Sequence, residues 1–253
     1  MAKQVPQKKT FNFVIQLDSV DKWLIWLILL MSVIPLFVTK KDAQWILDFF
    51  EWLLIILIPA EFVLSIIKSH YLLPKAERER RYDALDNAFG SKFSLQSSIE
   101  YFTNDEIPTG VKKLGVNLFQ NVFYTTRLSD RMMVRYFVKS SIFGITIIAM
   151  GIYGLKNSPI MLPFLQFMFS ATVFGDLIKF LMYHRENNRI LEEIKVSFQY
   201  SPNDSTILKE YFDYETNISW GQVLISNRVY TKYNDALEKE WQQVKTKYNL
   251  NGK

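Results

Sequence analysis

The stretch Trp23–Val38, WLIWLILLMSVIPLFV, contains no charged residue. A bilayer core about 30 Å thick needs roughly 20 mostly apolar residues in a helix, and this run reads as a transmembrane helix. Working outward, three more such stretches appear. Trp45–Ile67 reads WILDFFEWLLIILIPAEFVLSII, apolar but carrying Asp48, Glu51 and Glu61. Tyr136–Leu155 reads YFVKSSIFGITIIAMGIYGL, and Pro159–Tyr183 reads PIMLPFLQFMFSATVFGDLIKFLMY. The acids of the second stretch leave an amphipathic interfacial helix open as its alternative.

The links inside the two pairs are short, Thr39–Gln44 and about Lys156–Ser158, so each pair is expected to form an antiparallel hairpin. Unpaired backbone is costly in hydrocarbon, which leaves no place for long loops there. Lys and Arg accumulate on the cytoplasmic side of membrane proteins. The links carry only Lys40, Lys41 and Lys156, against four basic residues up to Lys22, eleven between Lys68 and Arg135, and ten from His184 onward. The expected layout is therefore a cytoplasmic segment 1–22, hairpin 23–67, cytoplasmic helical segment 68–135, hairpin 136–183 and cytoplasmic helical tail 184–253. The fold class is an all-α membrane protein, with four transmembrane helices in two hairpins and a small cytoplasmic helical bundle. Both termini face the cytoplasm of a multi-pass cell-membrane protein.

Composition narrows the chemistry. The chain has 253 residues, a net charge of +5 and no Cys, so disulfides, thiolate zinc sites and thiol catalysis are excluded. His70 and His184 are the only histidines, too few for a multi-histidine metal site. The basic excess is thin for a nucleic-acid groove, and no polymer partner is expected. No HExxH, GxSxG or P-loop motif occurs, so no enzyme and no cofactor is expected. The N-terminus lacks the apolar core and cleavage site of a signal peptide.

In the polar parts, Lys75–Phe89 has helical character. Pro74 suits a first turn and Gly90 a C-terminal stop. A helix from Val111 leads toward the third span, and residues 186–199 continue the fourth into the cytoplasm until Ser201–Asp204 break it. A short amphipathic helix over residues 205–217 and a longer one over residues 218–248 follow, the latter interrupted in pattern only by Gly221.

Two sets of residues are candidates for function. Counting inward along the spans puts Glu61, Asp176 and Lys179 at similar depth, with Lys139 near the start of its span. Intramembrane charges are costly and face a bundle interior or water. This layer reads either as a pore lining or as a structural ion-pair layer with snorkelling lysines. Asp48 and Glu51 read as an acidic mouth or as a helix end among headgroups. The cluster Arg78, Arg80, Arg81 and Tyr82, supplemented by Lys112 and Lys113, suits phosphate binding, since Arg offers a bidentate fork. Its alternative is a juxtamembrane helix attracted to anionic lipid.

The order of parts, together with RYDALDNAFG (Arg81–Gly90) and SWGQVLISNRVYTKYNDALEKEW (Ser219–Trp241), resembles the SMODS-associated four-transmembrane effectors. These are pore-forming proteins found beside bacterial cyclic-oligonucleotide synthases in antiphage defence. The resemblance implies an effector that senses an infection-made cyclic oligonucleotide and permeabilises the inner membrane. Four helices alone leave little room for water, so a pore implies a homo-oligomer of closed symmetry. A non-pore scaffold that recruits a cytoplasmic partner, and a small transporter subunit, are the alternative functions.

Overall fold

The computed structural model describes residues 7–33, 44–95, 98, 102, 104, 106–152 and 174–250. Among them regular structure is helical throughout, with no strand. The helices are α1 (Lys8–Val33), α2 (Gln44–Ile66), a π-helical turn (Ile67–Leu72), α3 (Leu73–Phe89), α4 (Val111–Ile152), α5 (Phe174–Gln199), α6 (Asp204–Gly221) and α7 (Asn227–Lys247). The all-α class is as the sequence predicts. One continuous helical stretch, Gln44–Phe89, is long and apolar enough among the described residues to cross a membrane. Its apolar part is α2, the stretch whose acids had left an interfacial reading open. The links of both hairpins, the end of the first span and most of the fourth lie outside the described residues.

The chain divides into two compact units. One comprises Met1–Lys9, Pro74–Val134 and Lys179–Lys253; the other comprises Thr10–Leu73 and Arg135–Ile178. The first is a helical bundle with a conventional core. Phe119, Val122, Ile190 and Trp241 are fully buried, joined by Leu114, Phe123 and Ile194. Helix α7 runs antiparallel to the first half of α4. Tyr248 meets Phe119 (5.3 Å between rings), Trp241 meets Phe119 and Phe123, Tyr124 donates to Glu238 (2.6 Å), and Arg131 lies over Tyr233. Amphipathic periodicity explains α7, because Leu237 and Trp241 are one turn apart on a single buried face.

Helix ends follow local chemistry. Gly90 (φ 68°) terminates α3, with its N–H bonded to the Asp86 carbonyl. Asn203 caps α6, its Oδ1 accepting from the Thr206 N–H at 2.8 Å. Two boundaries differ from the sequence expectation. The polar N-terminal segment is not separate, because α1 begins at Lys8 and runs without a break into the apolar stretch. The single long helix expected over 218–248 is two: α6 ends at Gly221, Gln222 takes the left-handed conformation (φ 47°), and α7 starts at Asn227.

In the other unit the helix ends expected at one membrane face meet. Lys68, just past α2, pairs with Asp18 at 3.1 Å and with Asp21, both just ahead of the apolar part of α1. The pairing brings the start of the first apolar stretch to the end of the second. Lys139 of α4 and Asp176 of α5 lie 3.8 Å apart, and Trp26 stacks on Phe143.

Candidate functional site

The polar layer is larger than the sequence suggested. Asp18, Asp21 and Lys22 project from α1 at i, i+3 and i+4, so they share one helical face. Lys22 also pairs with Asp18. Glu61 of α2 interacts electrostatically with Asp21 and Lys68. Tyr136 senses both Asp18 and Asp176, and Lys139 senses Lys22 as well as Asp176. Of the four anticipated residues, the structure joins Lys139 to Asp176 and gives Glu61 different neighbours, Asp21 and Lys68. Lys179 belongs to the other unit. Asp18, Asp21, Lys22 and Lys68 were missed because they were assigned to flanking cytoplasmic segments. The signal that reveals them is the helical spacing of Asp18, Asp21 and Lys22, once α1 is started at Lys8.

Asp21 is buried, and one of its carboxylate oxygens, Oδ1, has no hydrogen-bond partner in the structure. Asp18 is held below the ordinary carboxylate range. Burial works against its charge, but hydrogen bonds and attraction from Lys22 and Lys68 outweigh it. The layer therefore combines close ion pairs with one partly unsatisfied acid.

The anticipated phosphate cluster divides. Arg80 is directed inward, donating to Glu215 at 2.5 Å and to Glu77 at 3.1 Å, with its guanidinium 5.8 Å from the Tyr214 ring centroid. Burial pushes the Glu77 carboxyl up, and the neighbouring Arg80 only partly offsets this. Arg80 thus serves a buried charge trio joining α3 to α6. Arg81 donates to Ser219 Oγ at 3.4 Å, and the Tyr82 ring tilts against Phe93. Arg78 is exposed. Lys113 is buried and Lys112 exposed at the start of α4. Gly110 bonds to Ala88 at the far end of α3, so Lys112 lies about 15 Å along the helix from Arg78. The structure does not gather the six residues around one ligand.

The two acids of RYDALDNAFG are structural anchors. Asp86 accepts from the Phe93 N–H (2.8 Å), the Ser94 N–H (2.7 Å), and the Ser91 and Ser94 hydroxyls. Asp83 accepts from Gln7 (3.1 Å) and the Ser98 N–H (2.7 Å). One short motif thus fastens both the following loop and the N-terminal segment.

A Ser–His–Asp grouping also appears. Ser129 Oγ lies 2.8 Å from His184 Nδ1, and His184 Nε2 lies 3.3 Å from Asp130. Ser129 is fully buried inside α4 and gives its proton to the Thr126 carbonyl, so its oxygen accepts from His184. A nucleophile needs the reverse relation and an open approach. The grouping ties α4 to α5.

Comparison with known family models, curated proteins and solved structures finds no match.

Proposed function

We propose that this chain is a four-span membrane effector that opens or disrupts a path through the cell membrane when its cytoplasmic bundle receives a small anionic signal. The observation that carries the reading is the continuity of α4 and α5. Each passes uninterrupted from the bundle unit into the apolar unit. A signal that repacks the bundle therefore acts on helices that themselves continue toward the membrane. A ligand shifts such a balance only by its differential affinity for the two states.

The conducting element in this reading is the polar layer of Asp18, Asp21, Glu61, Lys68, Lys139 and Asp176, arranged around the axis of a homo-oligomer. By the resemblance, the signal is a cyclic oligonucleotide. Of the anticipated cluster, Arg78 of α3 and Lys112 at the start of α4 are the exposed cations. The test is dye release from proteoliposomes holding the full chain, with a panel of cyclic di- and trinucleotides added outside inverted protein. The expected result is release with one panel member, altered in rate by Asp176→Asn. A chain that is monomeric in nanodiscs and releases no dye with any of them, while capturing a cytoplasmic protein stably, is the scaffold instead.

A further inference from the structure

Trp220 is 82% exposed although it lies on a helix packed into the bundle. Its height in the bundle is fixed by the pairing of α6 with α5. Lys209 bonds to Glu193 at 2.9 Å, Arg189 to Asp213 at 3.0 Å, and the Asn217 side-chain amide donates to the Tyr183 carbonyl at 3.1 Å. These contacts descend both helices antiparallel, with a slip of two residues at the last pair. Each residue of a helix advances about 1.5 Å, so continuing the register places Trp220 level with Phe180–Met182 of α5. The close approach of the last turn agrees, because a Cβ on Gly221 would run into the Tyr183 ring.

Residue 180 lies inside the stretch read as the fourth span. At that level α5 also turns Met182 outward, 68% exposed. Two large apolar side chains on neighbouring helices are thus uncovered at the height expected for the membrane surface. The residue before Trp220 carries the third element, since Ser219 holds the Arg81 guanidinium. An aromatic ring with an Arg beside it matches the headgroup layer, where Trp rings settle and guanidinium groups meet phosphate.

We propose that the C-terminal turn of α6 is a membrane anchor. Trp220 enters the headgroup layer of the bilayer, and Arg81 faces phospholipid phosphate beside it. The anchor ties the returning helix of the bundle to the membrane surface at a point distinct from the spans. This rests on the reading of the fourth stretch as a span.

The chain has no native Cys, so single cysteines report one place each. In full-length protein reconstituted into phosphatidylethanolamine–phosphatidylglycerol vesicles, an environment-sensitive dye is attached at Trp220→Cys, Met182→Cys or Phe212→Cys. Phe212 is exposed on the same helix about 12 Å away from the proposed surface. The expected result is loss of most of the emission at 220 and 182 to a shallow lipid-borne spin label, with 212 quenched by aqueous iodide alone. If 182 answers to the lipid quencher and 220 answers only to iodide, the anchor is refuted while the span stands. If 182 is also reached only by iodide, the span reading has failed and the anchor with it. A dye at 220 shielded from both quenchers is covered by protein, which also overturns the proposal.

Discussion

Trp241 and Trp52 belong to one chain and meet opposite surroundings. Trp241 is fully buried among Phe119 and Phe123, whereas Trp52 is 67% exposed, in company with Trp45, Ile56 and Phe62 along α2. The bundle unit withdraws a core of large apolar side chains from water, although Trp220, Met182 and Phe212 stay outside it. In the other unit α2 turns them outward, while Asp21 and Ser140 are buried. A surface of that kind is stable when its solvent is hydrocarbon. The contrast teaches that one average over this sequence describes neither half.

The largest effect expected from this contrast is on the bundle core. Trp241→Ala should cost about 3–5 kcal/mol, the range for truncating a large buried aromatic. It should expose the tail to limited proteolysis in detergent. Trp52→Ala in α2 should leave the same proteolytic midpoint nearly unchanged. Equal loss from both substitutions would break the comparison.

Next is the buried charge trio. Arg80→Ala leaves Glu77 and Glu215 buried without their cation, a change that costs about 3–5 kcal/mol in comparable settings. Restoring the charge as Lys should recover only part of it, because Lys cannot reproduce the fork that meets both acids. Full recovery with Lys, measured by thermal unfolding, would show that geometry is unimportant there.

A smaller effect is expected where two helices touch most closely. Gly221→Ala forces a methyl against the Tyr183 ring and should cost about 1–3 kcal/mol. Gly115→Ala meets the flexible Ile207 side chain first, at 3.0–3.2 Å, and should be milder.

The gentlest probe is acid. Burial raises the Asp86 pKa, but hydrogen bonds from Ser94, Phe93 and Ser91 outweigh it and hold the carboxyl below its ordinary 3.8. A group with a depressed folded pKa stabilises fully above its unfolded value, and that contribution is lost as pH falls through the folded one. Proteolysis near residues 91–95 should therefore accelerate below about pH 4. Asp86→Asn should be cleaved faster at neutral pH and show less of this acid step. An identical acid step in both proteins would contradict the anchoring role.

Helix positions were legible where periodicity and stop signals agreed. Pro74 and Gly90 bracket α3 almost to the residue, and α2 declares itself by composition. The break after Gly221 was only half legible: Gly221 and Ser226 stand at its two ends, but Val223, Leu224 and Ile225 between them continue the apolar pattern and the left-handed position is occupied by Gln222. The polar layer was half legible: depth counting brought Lys139 and Asp176 together, but Asp18 and Asp21 looked like loop acids while α1 was started too late. Arg80 shows the limit from the other side. A basic cluster on a helix carries no mark of which arginine turns inward, and Glu215, its closest partner, is far away in sequence.

The proposed four-span reading puts the apolar stretches in a bilayer and the polar segments in the cytoplasm. Single cysteines at Asn157, which the sequence reading expects in the link of the second hairpin, and at the exposed Lys239 of α7 test this with a membrane-impermeant thiol reagent on intact and permeabilised cells. The account predicts labelling at 157 in intact cells and at 239 only after permeabilisation. Labelling at 157 that also requires permeabilisation, or at 239 without it, would contradict the four-span arrangement.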